Sequence, residues 1–141
     1  MGAEPERVFF TSGGTEADNW AIFSAAQRLG KRGKHLITTA VEHHAVLHPF
    51  AQLEQQGFEV TYLPPEPDGT VTLERLRAAL RPDTVLVSVM MVNNATGAVM
   101  PVQEMASSQI VSYPLRQVTG LCIFSRRCDV VYLFRFREIF E

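Results

Sequence analysis

The stretch VLVSVMMV, residues 85–92, is a nearly continuous apolar run, and it decides the fold class. A strand that is apolar on both faces is typical of the centre of a parallel sheet, where helices cover both sides. Working outward from this run, the sequence predicts further strands at His35–Thr39 and Phe58–Leu63, and a shorter one at Val8–Phe10.

Helical patterns separate the predicted strands. Apolar residues recur at helical spacing in residues 16–29, in residues 45–56 and after Thr72, which is a suitable N-cap. Pro49 is expected in the first turn of the second helix, where proline costs least. The alternation of strands and helices predicts an α/β fold with three layers, α/β/α, around a mostly parallel sheet.

The composition is that of a soluble globular domain. With 46% hydrophobic residues, 20% charged residues and a net charge of −2, the chain gives no reason to expect a nucleic-acid or a membrane partner. The sequence has neither an apolar run long enough for a transmembrane helix nor a secretory signal, so we expect a cytoplasmic location. Cys122 and Cys128 show neither a disulfide framework nor a usual zinc spacing.

Ser12–Gly13–Gly14–Thr15–Glu16 is the first of three polar clusters that follow predicted strands. Free N–H groups at a helix N-terminus attract anions, glycines let the backbone approach a phosphate, and Thr15 adds a hydroxyl donor. Taken alone, the motif is more typical of a plain capped helix start, because it matches neither the Walker nor the Rossmann pattern.

Glu42–His43–His44 and Asn93–Asn94–Ala95–Thr96–Gly97 are the second and third clusters. A histidine at such a position can stack on a flat ring or transfer protons, while His44 and His48 share the spacing of a two-histidine metal site. Solvated histidines and a simple turn at Asn93 are the more common interpretations of each motif alone. Because the carboxyl ends of parallel strands meet at one edge of the sheet, we expect all three clusters to converge on a ligand.

The three blocks resemble successive motifs of one enzyme family. Phe10–Asn19 (FTSGGTEADN), Val41–Leu47 (VEHHAVL) and Val92–Gly97 (VNNATG) look like those of cysteine desulfurases, which are class V aminotransferase-like enzymes of fold type I. The resemblance covers about residues 4–105. It implies the N-terminal part of a large domain that binds pyridoxal 5'-phosphate (PLP), in an enzyme that takes sulfur from L-cysteine and leaves L-alanine.

The resemblance also implies roles for individual residues. Gly14 and Thr15 would bind the PLP phosphate, His43 would stack on the pyridine ring with a further role in proton transfer, and Asn94 would hydrogen-bond near the phenolic oxygen. Ala95 stands where the family usually has Glu, so we expect altered support of the Asn94 loop. The implied partners are a sulfur acceptor or scaffold protein for iron–sulfur cluster assembly or thiolation, and a second subunit in a homodimer.

Other parts of the family pattern do not match this sequence. Lys31 and Lys34 are its only lysines, and neither follows the Ser-x-His-Lys block that supplies the Schiff-base lysine. Asp129 is followed by two valines and does not fit the Asp-Ala-x-Gln block. We therefore expect a truncated chain with weak or no PLP binding and little activity alone.

Residues 106–141 differ in character from residues 1–105, the partial PLP-binding domain. They carry five arginines against three acidic residues and show bare apolar runs without helical partners. Our hypothesis is a divergent tail produced by a frameshift or a misjoined segment.

Two other functions stay open for the chain: another class V enzyme, such as a selenocysteine lyase or an aminotransferase, and a non-catalytic fragment that binds a ligand or a partner.

Overall fold

The computed structural model describes residues 9–107 and 132–136. These residues contain four helices and four strands. The helices are α1 (Gly14–Leu29), α2 (His44–Gln55), α3 (Leu73–Ala79) and α4 (Val102–Ser107), and the strands are β1 (His35–Thr39), β2 (Glu59–Leu63), β3 (Thr84–Met90) and β4 (Tyr132–Phe136).

The strands form one sheet in the order β2-β1-β3-β4. The first three run parallel, and β4 joins the other side of β3 in the antiparallel direction. The prediction of a mostly parallel sheet is therefore confirmed. Strand β4 belongs to residues 106–141, whereas Cys122, Cys128 and Asp129 lie outside the described residues.

Helices cover both faces of the sheet. The chain passes from β1 to β2 in one direction and from β2 to β3 in the other, so right-handed crossovers place α2 and α3 on opposite faces. Helix α1 packs against α2, and α3 packs against α4. The Tyr62 hydroxyl of β2 donates to Glu54 of α2 at 2.8 Å, which identifies the sheet face that α1 and α2 cover. The three-layer prediction is confirmed.

The core lies between these layers. Central side chains such as Ile22, Leu36, Phe50, Leu86 and Met90 have no exposed surface. They come from α1, α2, β1 and β3, so the strands with continuous apolar runs are buried on both faces, as the sequence predicts. Burial of such side chains supplies the main favourable term in folding.

The predicted strand at Val8–Phe10 is wrong for Phe9 and Phe10, and Val8 lies outside the described residues. Phe9 is 66% exposed and Phe10 96% exposed. The described sheet has no strand beside them, so their backbone N–H and C=O groups have no neighbouring strand with which to form hydrogen bonds. Phe9 instead packs edge-on against Trp20, with the ring centroids 5.4 Å apart.

Replacement of Phe50 by Ala tests the core. Phe50 is fully buried, so F50A is expected to lower the free energy of unfolding by about 3–5 kcal/mol in urea titrations. Phe10→Ala removes the same ring from a solvent-exposed site and is expected to change that free energy by no more than about 0.5 kcal/mol. Equal effects of the two substitutions would contradict the packing described here.

Candidate functional site

The first backbone N–H groups of α1 have no acceptor within the helix. Gly13 is the N-cap and makes no side-chain cap, and the first backbone bond of the helix runs from the Ala17 N–H to the Gly13 carbonyl at 3.2 Å. The N–H groups of Gly14, Thr15 and Glu16 lie ahead of that bond. A Cβ at Gly13 would meet no atom within 4 Å, so there is room beside these donors.

Ser12 and Glu16 fix the approach to this helix. The Ser12 N–H and hydroxyl both donate to Glu16 Oε2, at 2.7 and 2.6 Å. These two hydrogen bonds hold the pKa of Glu16 below its usual range, so the carboxylate is ionised and engaged with the preceding residue. The Thr15 side chain on the same turn is exposed.

His43 caps the N-terminus of α2. Its Nδ1 accepts a hydrogen bond from the Ala45 N–H at 3.1 Å, so the proton of the neutral ring is on Nε2. The side chain is otherwise exposed, at the end of the segment that follows β1. The cap therefore orients the ring while leaving it accessible to a ligand.

Asn93 holds the loop that follows β3. Its Oδ1 accepts from the N–H groups of Ala95 and Thr96, both at 2.9 Å, and its Nδ2 donates to the Val41 carbonyl at 2.8 Å. Asn94, the asparagine predicted to contact a ligand, is exposed. Support of the loop, which we expected to be altered by Ala95, comes from the buried Asn93 side chain.

A side-chain bond brings α1 and α2 together at the site. Pro49 lies at the start of the second turn of α2, close to the position predicted. Because proline has no N–H, the Ala45 carbonyl four residues earlier lacks its usual helical donor. Asn19 Nδ2 donates to that carbonyl at 3.3 Å and to the Thr15 carbonyl at 2.8 Å. The helix defect at Pro49 thus supplies an acceptor for the first turns of α1.

The segments that carry the predicted site residues therefore lie next to one another. The Asn19 bond places Gly14 and Thr15 beside the start of α2 and His43, while the bond between Asn93 and Val41 places Asn94 beside the same segment. The three clusters lie at the carboxyl ends of β1 and β3 and at the start of α1. The first cluster reaches this place through helix packing, since no described strand precedes it.

Asp18 and Glu42, which neighbour these exposed residues in the chain, are buried. The sequence placed Glu42 in the second cluster without predicting its burial, and it did not single out Asp18. Burial raises the pKa of Asp18 to about 7. Burial also raises the pKa of Glu42 to about 8, although the Met90 N–H and the Thr39 hydroxyl donate to its Oε1. A signal for Asp18 existed, because it shares the helical spacing of Ile22 and the other buried residues of α1.

His44 and His48 lie next to His43, with the rings of His43 and His44 6.3 Å apart, whereas the two lysines lie away from the site. The rings of His44 and His48 are 5.3 Å apart, and within the described part of the chain no group of three or more His, Cys, Asp or Glu could hold a metal ion. Lys31 follows the far end of α1, and Lys34 Nζ lies 4.2 Å from the ring centroid of Phe58, just before β2 begins. Both lysines are thus at the opposite edge of the sheet.

Comparison with known proteins places the chain in a family. Residues 1–111 match the model of the family described as "Aminotransferase class-V". The chain belongs to the class V aminotransferase family. Enzymes of this family are PLP-dependent.

Among residues 9–107 and 132–136, no helix is both long and apolar enough to cross a membrane.

Two proteins named cysteine desulfurase IscS are similar to this chain. The cysteine desulfurase IscS of Methanosarcina thermophila is 54% identical over 104 residues, which are 74% of this chain and 26% of that protein. The IscS of Acinetobacter baumannii (strain AYE) is 56% identical over 98 residues, which are 69% of this chain and 24% of that protein. The chain thus spans about a quarter of the length of these relatives.

Solved structures show the same similarity. DndA from Streptomyces lividans superposes with a TM-score of 0.72 at 46% identity, over 77% of this chain and 30% of that one. The cysteine desulfurase from Thermococcus onnurineus NA1 gives a TM-score of 0.67 at 28% identity, over 74% of this chain and 26% of that one. In both sequence and fold, the described part of this chain is therefore similar to proteins named cysteine desulfurase.

The residues at the site fit part of PLP. The open N–H groups and the Thr15 hydroxyl suit the phosphate, and the space beside Gly13 admits it. An exposed His43 ring and the Asn94 amide suit the aromatic ring and its phenolic oxygen. The only lysines of the chain, Lys31 and Lys34, are at the other edge of the sheet, so the chain does not offer a lysine to the cofactor at this site.

Asn19 and Pro49 provide a test of how the site is assembled. We expect Asn19→Ala to lower the free energy of unfolding by about 1–2 kcal/mol, because it removes the amide that satisfies the Ala45 carbonyl. In a Pro49→Ala background, the N–H of the introduced alanine can satisfy that carbonyl, so N19A is expected to cost less. A double-mutant cycle by urea denaturation measures this coupling, and strictly additive effects would contradict it.

Proposed function

We propose that residues 9–107 form the phosphate- and ring-binding part of a PLP site in an enzyme that removes sulfur from L-cysteine and leaves L-alanine. The observation that supports this most is the convergence of three segments beside the open N-terminus of α1. The similarity to proteins named cysteine desulfurase favours cysteine as the substrate.

Each residue of the proposed site has a defined task. The N–H groups of Gly14 and Thr15, with the Thr15 hydroxyl, bind the phosphate, and the positive end of the α1 dipole favours its negative charge. His43, oriented by its bond from the Ala45 N–H, stacks on the ring and exchanges protons through Nε2. Asn94 donates to the phenolic oxygen. When bound, PLP supplies an electron sink for the chemistry at the substrate carbon.

Further parts of the proposal concern the whole enzyme. The sulfur passes to an acceptor or scaffold protein of iron–sulfur cluster assembly or thiolation, and the enzyme acts as a cytoplasmic homodimer. Residues 1–105 constitute part of the PLP-binding domain, and residues 106–141 form a divergent tail. In this proposal neither Lys31 nor Lys34 carries the cofactor, because both lie at the opposite edge of the sheet.

A chimera tests the proposed activity directly. Residues 1–105 replace the matching segment of the Methanosarcina thermophila relative, which supplies the remaining catalytic groups. The chimera is expected to bind PLP and to form alanine from L-cysteine. Thr15→Val, His43→Ala and Asn94→Ala are each expected to lower kcat/KM roughly tenfold or more. Thr15 and Asn94 would lose hydrogen bonds to the phosphate and the phenolic oxygen, and His43 would lose its stacking contact and its proton-transfer group.

His48→Ala is the matched control for His43→Ala, because His48 is an exposed histidine of the same helix outside the proposed contacts. It is expected to leave kcat/KM unchanged. A folded chimera with bound PLP that forms no alanine from cysteine would refute the proposed substrate. A folded chimera that binds no PLP would refute the proposed cofactor contacts.

A further inference from the structure

The turn between β2 and α3 (residues 64–71) lies against the loop that follows β3 (residues 91–100) and carries Asn94. A Cβ placed on Gly69 of the turn would be 3.3 Å from the Cβ of Ala98 in the loop. That separation is shorter than an ordinary van der Waals contact, which spans 3.4–4 Å. The absence of a side chain at Gly69 therefore allows the two backbones to approach closely.

A hydrogen bond to sulfur joins the same two segments. The Val71 N–H donates to the Met100 sulfur at 3.2 Å, and both residues are buried. Because a buried backbone N–H needs a partner, this bond fixes where the loop meets the turn. Two contacts of different chemistry therefore hold the loop against the turn.

The turn has its own internal support. The Glu66 N–H donates to the Thr70 carbonyl at 2.7 Å, and the Gly69 N–H donates to the Glu66 carbonyl at 2.9 Å. Asp68 Oδ1 accepts from both the N–H and the hydroxyl of Thr70. The Glu66 carboxylate also binds Arg75 of α3, so the turn is anchored to a helix. A turn with these bonds keeps its shape and can act as a fixed support for the loop.

The loop transmits a displacement of Ala98 to the residues around Asn94. The Ala98 carbonyl accepts from the Asn93 N–H at 2.9 Å, and the Asn93 carbonyl accepts from the Gly97 N–H at 2.8 Å. Asn93 Oδ1 accepts from the Ala95 N–H at 2.9 Å. Because these bonds enclose Asn94, a shift of the Ala98 backbone moves Asn94 as well.

We propose that Gly69 is a positioning residue for Asn94. The backbone of Gly69 lies in the left-handed region, with a φ of 85°, and its missing side chain sets the distance between the turn and the loop. An L-residue at this position would bring both backbone strain and a close contact with Ala98. The role of Asn94 toward the cofactor rests on the proposed function, whereas the coupling of the turn to the loop does not.

Gly57 provides a matched control. It also has a positive φ, 86°, but a Cβ placed there would meet no atom within 4 Å. Gly57→Ala and Gly69→Ala therefore share the backbone strain, which is expected to raise the unfolding equilibrium constant roughly five- to thirtyfold in each. Only Gly69→Ala adds the contact with Ala98. Ala98→Gly removes the opposing Cβ and is expected to relieve that contact.

Amide NMR of the 141-residue chain tests the coupling. In the unmodified chain, an NOE is expected between the Gly69 Hα protons and the Ala98 methyl group. Gly69→Ala is expected to shift the amide resonances of Asn93 and Asn94, whereas Gly57→Ala is expected to leave them unchanged. In an Ala98→Gly background, the shift caused by G69A is expected to be smaller. Absence of the NOE, or equal shifts from G69A and G57A, would overturn the proposal.

The chimera with the Methanosarcina thermophila relative tests the positioning role. G69A is expected to lower kcat/KM roughly threefold or more, because small misplacements of a contacting group slow a reaction, while G57A is expected to leave kcat/KM unchanged. In an Asn94→Ala chimera, G69A is expected to have no further effect, because the group that Gly69 positions is gone. An equal loss of kcat/KM in both backgrounds would refute positioning through Asn94. An inactive unmodified chimera would instead refute the proposed function, and the NMR result would still decide the coupling.

Discussion

The carboxyl group of Glu42 is the constraint on which the site depends. Its Oε1 accepts from the Thr39 hydroxyl at the end of β1 and from the Met90 N–H at the end of β3. These bonds fix the two strand ends relative to each other, at the edge where the ligand-facing segments begin. The Asn93 amide adds a second link by donating to the Val41 carbonyl. The positions of His43 and Asn94 follow from these two links.

A polar layer thus lies between the apolar core and the exposed site residues. Charged groups are rarely buried this deeply unless they are paired, because water solvates them far better than the protein interior does. Here Asp18 and Glu42 are buried, whereas Thr15 and His43, their near neighbours in the chain, are exposed. Buried groups with shifted pKa values are common at functional sites, which agrees with the site's placement.

Much of the fold could be predicted from the sequence because its strands carry strong apolar runs. Residues 85–92 predicted a central strand, and β3 occupies Thr84–Met90 in the middle of the described sheet. The Val8–Phe10 prediction failed for Phe9 and Phe10 because a short apolar run does not reveal whether a neighbouring strand exists. Pro49 lies inside α2, near its predicted position, and proline is tolerated there because another donor reaches the freed carbonyl.

The site was predictable as a set of motifs and not as a set of contacts. The bond from the Asn19 amide to the Ala45 carbonyl joins residues 26 positions apart, and the bond from the Met90 N–H to the Glu42 carboxylate joins residues 48 apart. Such pairings depend on how helices pack on the sheet, which local patterns do not specify.

The most direct test of the central claim is an amide NMR titration of the chain with PLP and, separately, with pyridoxal, which lacks the phosphate. PLP is expected to bind weakly, with shifts at the amides of Gly14 and Thr15 and at His43 and Asn94. Pyridoxal is expected to leave Gly14 and Thr15 unchanged. Shifts at Gly14 and Thr15 that do not require the phosphate, or PLP shifts confined to another surface, would contradict the assignment of this edge as the cofactor site.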